Sequence, residues 1–387
     1  MAKAASSPDV VVIGAGIVGA ACAHELARLG ADVLVIDRAG IGGGVTAAGM
    51  GHLVLMDDSA AEFALSAWSR DLWLDLGPRL DERQAFVRCG TVWVAADDEE
   101  YELAQTRQQA LTRQGVACAM LDAQQVREAE PELREGLRGG MIVPDDGVVY
   151  APAASAWLLT QPVKGRITCR LDTNVARVDR CGVVLDHGET IAAGAVLIAS
   201  GLQAMDLLPG LPMQGKKGHL LITDRYPGTV RHQILELGYI KSAHNATGTS
   251  VAFNVQPRPT GQLLIGSSRQ FDNPDSAIEP EILARMLRRA TEYLPKLPSL
   301  NAIRAWTGLR PATQDGLPLI GPAGPFAHDA CHRSTWLATG HEGLGVTTAL
   351  ATGKLIAAQM LSTGDALPID ATPYLPARFA ARRVAHG

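Results

Sequence analysis

The sequence predicts an α/β protein, α+β in its full arrangement, in which a parallel-sheet domain is interleaved with a mixed-sheet domain. Three observations predict it. Residues Asp9 to Asp37 run continuously through a strand, a glycine turn, a helix and a second strand. This unit does not repeat later in the sequence. Helical and β-type stretches then alternate before short strands return, the order expected when a polypeptide leaves one domain, builds another and comes back.

In the first unit the apolar run Val10-Val11-Val12-Ile13 flows into Gly14-Ala15-Gly16-Ile17-Val18-Gly19. A helical pattern continues through Leu29, Gly30 stops it, and a strand at Val33 to Ile36 ends in Asp37. Gly14 permits the tight turn, Gly16 lets a pyrophosphate approach the backbone, and Gly19 lets helix and strand pack closely. N–H groups at the helix start, Ile17 and Val18 among them, attract phosphates. Asp37 accepts from a ribose hydroxyl and would repel a 2′-phosphate, which disfavours NADP. The unit reads as a Rossmann-type dinucleotide domain; the plain alternative is a glycine-rich α/β turn.

Composition is that of a globular enzyme. The 387 residues support a large core and two domains, with 47% hydrophobic and 19% charged residues. A net charge of -5 without a Lys/Arg cluster argues against a nucleic-acid surface. The N-terminus lacks an apolar signal-peptide region, and no uninterrupted apolar run reaches the roughly 18 residues of a transmembrane segment, so a cytoplasmic location is the default. The six cysteines are scattered without a C-x-x-C pair and read mostly as small buried hydrophobes. Cys331, His332 and His328 form the one compact group of soft ligands, without a second cluster to complete four-coordination, so no metal is expected.

The following elements are read in order. A helix begins at Ser59, with Glu62 completing a capping box, and runs to Gly77. A β-type run covers Thr91 to Ala96, and two polar helices follow near Asp98 to Gln114 and Ala123 to Glu130, the second stopped by Pro131. Gly147 to Pro152 opens another helix, and strands near Thr168, Gly182 to Leu185 and Ala195 to Ala199 return to the first domain. A β-rich stretch from Gly218 to Ser268 precedes a helix at Glu281 to Tyr293 and the long segment Gly343 to Leu361. Residues 1–85, 145–215 and 305–387 are therefore expected in the Rossmann-type domain, and 86–144 and 216–304 in the mixed-sheet substrate domain.

Five segments carry a family resemblance over nearly the whole sequence. They are the glycine unit ending at Asp37, Gly42-Gly43-Gly44-Val45-Thr46-Ala47-Ala48-Gly49, Val196 to Gly201, Trp306-Thr307-Gly308-Leu309-Arg310-Pro311 to Gly316, and Ala338-Thr339-Gly340-His341-Glu342-Gly343-Leu344-Gly345. In this order they resemble the FAD-dependent D-amino-acid oxidase, glycine oxidase and sarcosine oxidase superfamily. The resemblance implies an extended FAD on a Rossmann-type FAD-binding domain, with the mixed-sheet substrate domain covering its ring. It implies cofactor contacts at Gly14, Gly16, Ile17, Val18, Asp37, Arg38, Gly43, Gly44, Thr46, Ala47, Ala48, Gly49, Met50, Val175, Ser200, Gly201, Arg310, Gly340, His341, Gly343, Leu344, Gly345, Val346 and Thr347.

The residues support parts of this independently. Glycines 42 to 44 and Gly49 give backbone freedom for wrapping a long cofactor, although a surface turn needs them equally. A helix beginning after Gly343 and Gly345 would turn its positive end toward the ring. His341 stands near the ring or hydrogen-bonds in the core; both readings stay open. Arg310, in an apolar setting, suits a bidentate carboxylate, against the alternative of pairing with Asp315. The family resemblance places this arginine on the carboxylate of an amino-acid substrate. His52, Tyr239 and Asn254 are further pocket candidates, each equally an ordinary turn or packing residue.

Phe253 to Arg269 departs from the D-amino-acid oxidases built of one polypeptide and resembles the FAD-carrying β subunits of heteromeric proline, hydroxyproline, opine and cyanide-forming glycine dehydrogenases. Ala47 to Asp58 looks closest to those acting on D-hydroxyproline. The implied reaction is hydride transfer from an amine substrate, best cis-4-hydroxy-D-proline or another cyclic or N-substituted amino acid, to flavin N5, giving an imine. Opine, sarcosine, glycine or general D-amino-acid oxidation is the alternative. Electrons are expected to leave through companion flavin or iron-sulfur subunits of a hetero-oligomer. Two other classes stay open: an NAD-linked dehydrogenase and an electron-transfer or assembly flavoprotein subunit.

Overall fold

The computed structural model describes residues 7–56, 58–238, 248–271, 275–327, 335–364 and 366–380. The fold opens with β1 (Val10–Ile13), α1 (Ile17–Arg28), β2 (Asp32–Ile36), the short α2 (Gly44–Ala48), β3 (His52–Leu53) and α3 (Ala60–Leu76). It continues through β4 (Thr91–Ala95), α4 (Asp98–Arg113), β5 (Ala119–Asp122), α5 (Ala123–Ala129), β6 (Gly139–Val143), β7 (Gly147–Val148) and α6 (Ala151–Thr160). Next come β8 (Arg166–Arg170), β9 (Val175–Asp179), β10 (Gly182–Leu185), β11 (Thr190–Ala192), β12 (Ala195–Ile198) and α7 (Ala204–Leu207). The last third holds β13 (Met213–Arg225), β14 (Gln233–Glu236), β15 (Ser250–Pro257), β16 (Gln262–Arg269), α8 (Pro280–Tyr293), β17 (Ala302–Thr313), β18 (Leu319–Pro322), β19 (Thr335–Thr339) and α9 (Gly345–Leu361).

The strands sort into two main sheets. One has six strands in the order β18-β19-β12-β1-β2-β8, parallel except at β18. The other has eight in the order β17-β13-β16-β15-β14-β4-β6-β5 and is mixed, with β4 and β14 parallel inside an otherwise antiparallel array. The expected division at residue 305 falls inside β17, so Arg310 stands on the eight-stranded sheet.

Both faces of the parallel sheet are covered, which explains why β1 is apolar along its whole length. Val10 and Val12 pack under α1, α6 and α9, while Val11 and Ile13 pack toward β9, β10 and α7. Glu342–Leu361 is long and apolar enough to cross a membrane by length and composition, but more than half of it is buried here, against α1 and α3. On the mixed sheet, α8 covers β15 and β16, with Phe253 stacked on Tyr293 at 4.6 Å between ring centroids.

Two local features differ from the sequence expectation. Ser59 caps α3 by accepting from Glu62 N, but Glu62 reaches back to the Asp58 amide, one residue before the position a capping box requires. Among the described cysteines only Cys22 is buried; Cys169 lies exposed on the edge strand β8 and Cys181 on the exposed turn before β10, which corrects the expectation that most fill the core. Cys331, His332 and His328 lie outside the described residues.

The closest backbone approach in the first unit is at Gly19. A Cβ there would lie 2.0 Å from the Gly14 carbonyl oxygen. Gly19→Ala must separate α1 from the turn, and we expect a loss of about 2 to 3 kcal/mol, read from urea unfolding. A loss under about 0.5 kcal/mol, the range of an ordinary surface substitution, would contradict this packing.

Candidate active site

The C-terminal ends of β1, β2, β12 and β19 lie side by side, and the residues following them are those the sequence singled out. Ligands of open α/β sheets bind outside such ends. After β1, Gly14 has a φ of +110° and α1 starts at Gly16 without a side-chain cap. A Cβ on Gly16 would meet only Thr46 Oγ1, at 3.0 Å, so space lies open beside it. Thr46 Oγ1 accepts from Ile17 N at 3.1 Å, while Val18 lies in the first turn of α1. After β2, Asp37 accepts from Ala15 N at 2.7 Å and from Ala39 N at 2.8 Å. Each carboxylate oxygen keeps a further lone pair for a ligand. With the Gln203 amide turned so that both its ends are satisfied, its oxygen accepts from Arg38 Nη2 at 2.9 Å.

Gly43 caps α2 and Gly44 opens it with a φ of +57°. Ala47 and Ala48 complete the helix, and Ala48 O accepts from Trp306 Nε1 on β17 at 3.1 Å. Beyond Gly49, the buried Met50 accepts from Arg258 through its carbonyl. Val175 begins β9 and is packed in the second core. After β12, Ser200 Oγ is buried without a partner, and Gly201 at φ +59° holds Thr339 Oγ1 at 3.0 Å. A helix start whose N-cap glycine supplies no side chain, an open glycine edge, a stitched carboxylate and an orphaned hydroxyl fit an extended dinucleotide such as FAD.

The turn after β19 carries the rest. Gly340 has a φ of +79°, and His341 forms a bridge with Ala312 and pairs through Nε2 with Thr352 Oγ1 at 3.0 Å. Burial pushes the His341 ring down to about 3, so it is a neutral core histidine. Gly343 and Leu344 complete the turn, and Gly345 begins α9. Val346 O accepts from Trp73 Nε1 at 3.0 Å, and Thr347 Oγ1 donates to His52 O at 3.0 Å.

His52 faces Gly343 O through Nε2 at 3.2 Å and Gln256 Nε2 through Nδ1 at 3.3 Å. Because an amide nitrogen only donates, Nδ1 accepts and the proton sits on Nε2. Burial, outweighing the Gly343 bond and joined by Arg310 and Arg258, pushes this ring down to about 4. Period-two alternation on β15 explains the arrangement: Phe253 and Val255 fill the core under α8, while Asn254 and Gln256 take the other face. Asn254 Oδ1 is buried without a partner. Tyr239 lies outside the described residues.

Arg310 is half-buried on β17, opposite Lys216 on β13. Its hydrogen bond among the described residues runs from Nη2 to Ser268 O at 2.8 Å, and Nε is buried without a partner. Asp315 does not pair with it; that carboxylate is held by Arg378 at 2.7 and 3.0 Å. Sequence reasoning passed over Lys216, Arg269 and Glu342, which join this cluster. Lys216 Nζ lies 3.1 Å and Arg269 Nη2 3.7 Å from Glu342 Oε1. Burial raises the Glu342 pKa, but Lys216, Arg310 and Arg269 outweigh it and hold the carboxyl below its usual range. Glu342 lay inside a recognised motif; Lys216 is found only through strand register.

The two depressed histidines bear on stability. Their unfolded values near 6.5 exceed the folded values of about 3 and about 4, so their contribution is full above pH 6.5 and is lost as pH falls through that window. Each adds at most about 1.4 kcal/mol per pH unit. We expect His341→Gln to flatten the fall in unfolding free energy between pH 7 and 5, measured by urea denaturation. An unchanged slope would sink this account.

The FAD dependent oxidoreductase family (DAO) matches residues 9–359. Hydrogen cyanide synthase subunit HcnC of Pseudomonas aeruginosa is 28% identical over 96% of both proteins. The B subunit of opine oxidase from Rhizobium meliloti is 28% identical over 90% of this chain and 94% of its own length. The crystal structure of glycine oxidase from Geobacillus kaustophilus superposes with a TM-score of 0.82 at 26% identity, covering 96% of this chain and 98% of that one. With its two-sheet architecture and the family match spanning both sheets, the chain belongs to the DAO family of FAD-dependent oxidoreductases, enzymes acting on amino acids.

Proposed function

We propose that this protein is the FAD-carrying catalytic subunit of a dehydrogenase that oxidises a cyclic or N-substituted amino acid, cis-4-hydroxy-D-proline foremost, to the imine. The observation that carries the reading is Arg310, a half-buried guanidinium with one backbone hydrogen bond and an unpartnered Nε, whose nearest sequence acid is committed to Arg378. A planar fork of this kind suits a substrate carboxylate. Bound FAD supplies the acceptor for the hydride that leaves the carbon bearing the nitrogen. The protein's own part is orientation: Arg310 fixes the carboxylate, and the β15–β16 hairpin roofs the site through Asn254, Gln256 and Arg258. Positioning of this sort is worth several kcal/mol.

The cofactor assignments follow the same geometry. Gly14, Gly16, Ile17 and Val18 receive the pyrophosphate, Asp37 the ribose, and the turn Gly340 to Thr347 the ring. Companion redox subunits are supported by two relatives that are themselves named as subunits, and a cytoplasmic location is proposed alongside. An anaerobic screen of D- and L-amino acids, opines, sarcosine and hydroxyprolines tests the substrate through bleaching of the flavin. No bleaching by any of them would favour a subunit that only carries electrons.

Gly16→Val tests the phosphate turn. Since a Cβ there meets only Thr46 Oγ1, at 3.0 Å, we expect the fold to tolerate the substitution while the cofactor is displaced. We expect colourless protein, less stable because ligand linkage is lost; full flavin content would remove the assignment. Arg310→Lys keeps the charge and loses the fork. With charge-assisted hydrogen bonds worth roughly 1.5 to 3 kcal/mol, kcat/KM should fall by about one to two orders of magnitude, and further in Arg310→Ala. Flavin content should stay near normal, and amines lacking a carboxylate should lose much less. Equal losses for both substrate types would make Arg310 a structural residue.

A further inference from the structure

Glu342 lies within a recognised motif and within the turn assigned to the ring, but neither gives its side chain a role. It is a non-glycine residue at φ +46° in a turn whose neighbours Gly340, Gly343 and Gly345 are glycines. The left-handed region disfavours a residue with a side chain, so Glu342 occupies this position at an energetic disadvantage. The turn leaves it little freedom to move, because His341 is tied to Ala312 and Thr352 on one side and Gly343 O to His52 on the other.

Its two carboxylate oxygens differ. In both ion pairs, with Lys216 and with Arg269, the nearest contact is to Oε1, at 3.1 and 3.7 Å. Oε2 accepts no hydrogen bond from the described residues, and it is not among the buried unsatisfied atoms. A carboxylate has about four acceptor sites, and those on Oε2 take no hydrogen bond from the described residues, while the neighbouring Arg310 has a buried Nε without a partner. Arg310 stands against this turn, its Cδ 3.8 Å from where a Cβ on the adjoining Gly343 would lie. An acceptor next to a donor fork is complementary to an α-amino acid, whose ammonium and carboxylate sit on adjacent atoms.

We propose that Glu342 binds the substrate nitrogen: Oε2 accepts an N–H of the ammonium while Arg310 holds the carboxylate of the same molecule. This rests on the reading of Arg310 as the carboxylate anchor. It gives the site its choice of class, amino acids over carboxylates without nitrogen, and it fixes the nitrogen end, so the α-carbon is held from two sides. Lys216 and Arg269 keep Glu342 ionised and oriented through Oε1 without occupying Oε2.

The test compares two ligands of nearly one shape, D-proline and (R)-tetrahydrofuran-2-carboxylate, in which an ether oxygen replaces the ammonium. Kd is measured on the holoenzyme, by anaerobic flavin reduction for the first and by the flavin difference spectrum for the second. In Glu342→Gln we expect D-proline to bind about 10- to 100-fold more weakly, the range of a lost charge-assisted hydrogen bond. The ether should bind equally well or more tightly, because a negative charge has gone from the field of Arg310. Glu342→Asp, which keeps the charge, should recover part of the D-proline affinity. Equal weakening of both ligands, or no change in either, would overturn the assignment to nitrogen. Failure of the Arg310 reading looks different: the ether would then bind wild-type enzyme and Arg310→Lys equally, or not at all.

Discussion

The bridge between Ala312, near the end of β17, and His341, just beyond β19, is the joint on which the site depends. It ties the edge of the eight-stranded sheet to the carboxyl end of the six-stranded one. Arg310 lies two residues before the joint and Glu342 one residue after it, so two charges from distant parts of the sequence are fixed relative to each other by backbone. Trp306 strengthens the connection by donating to Ala48 O, and Gly308 allows it, since a Cβ there would stand 2.9 Å from the Ala48 Cβ. Geometry set by backbone and packing is more precise than geometry set by a free loop.

Charge is distributed over the two faces of β13 by the same alternation that organises β15. Lys216 points to the site and meets Glu342, whereas Lys217, fully buried, points away to Glu279 at 2.9 Å and Asp275 at 3.3 Å. On that far face His219 Nδ1 lies 2.9 Å from Ser268 Oγ, and its Nε2 accepts from Glu279 N at 3.0 Å. Ser268 in turn presents its carbonyl to Arg310. A series of hydrogen bonds therefore runs through the sheet, from the buried Lys217 and its more exposed carboxylate partners on one side to the proposed substrate anchor on the other. Truncating a member of such a series would leave a buried polar group unmatched, which is costly.

Features local in sequence were legible before the fold was known. The unit from Val10 to Asp37 could be read because its strand, turn, helix and second strand are consecutive, and Arg310 because an arginine among Trp306, Leu309 and Pro311 stands out in an apolar setting. Pairings between distant segments were not legible. Lys216 opposite Arg310, and Gln256 against His52, depend on strand register and on how a hairpin folds over another domain. The alternative of an Arg310–Asp315 pair, weighed because the two are close in sequence, fails for a related reason: the turn after β17 carries Asp315 to Arg378 near the C-terminus. Glu342 was overlooked because a glycine-rich turn draws attention to its backbone, where the side chain is the unusual part.

The histidines complete the electrostatic picture by what they withhold. His52 and His341 lie next to the cluster of Arg310, Lys216 and Arg269, and burial keeps both rings neutral well below their ordinary range. If either were protonated, the field around Arg310 would gain a further positive charge, and Glu342 would face four or five cations in place of three. Desolvation prevents this without any base nearby. The consequence is that neither histidine adds charge to the cluster near neutral pH, so an ammonium and a carboxylate on one small molecule meet the same complementary pair there. What His52 gives the turn is a neutral donor at Nε2, which holds the Gly343 carbonyl and thereby the position of Glu342 beside it.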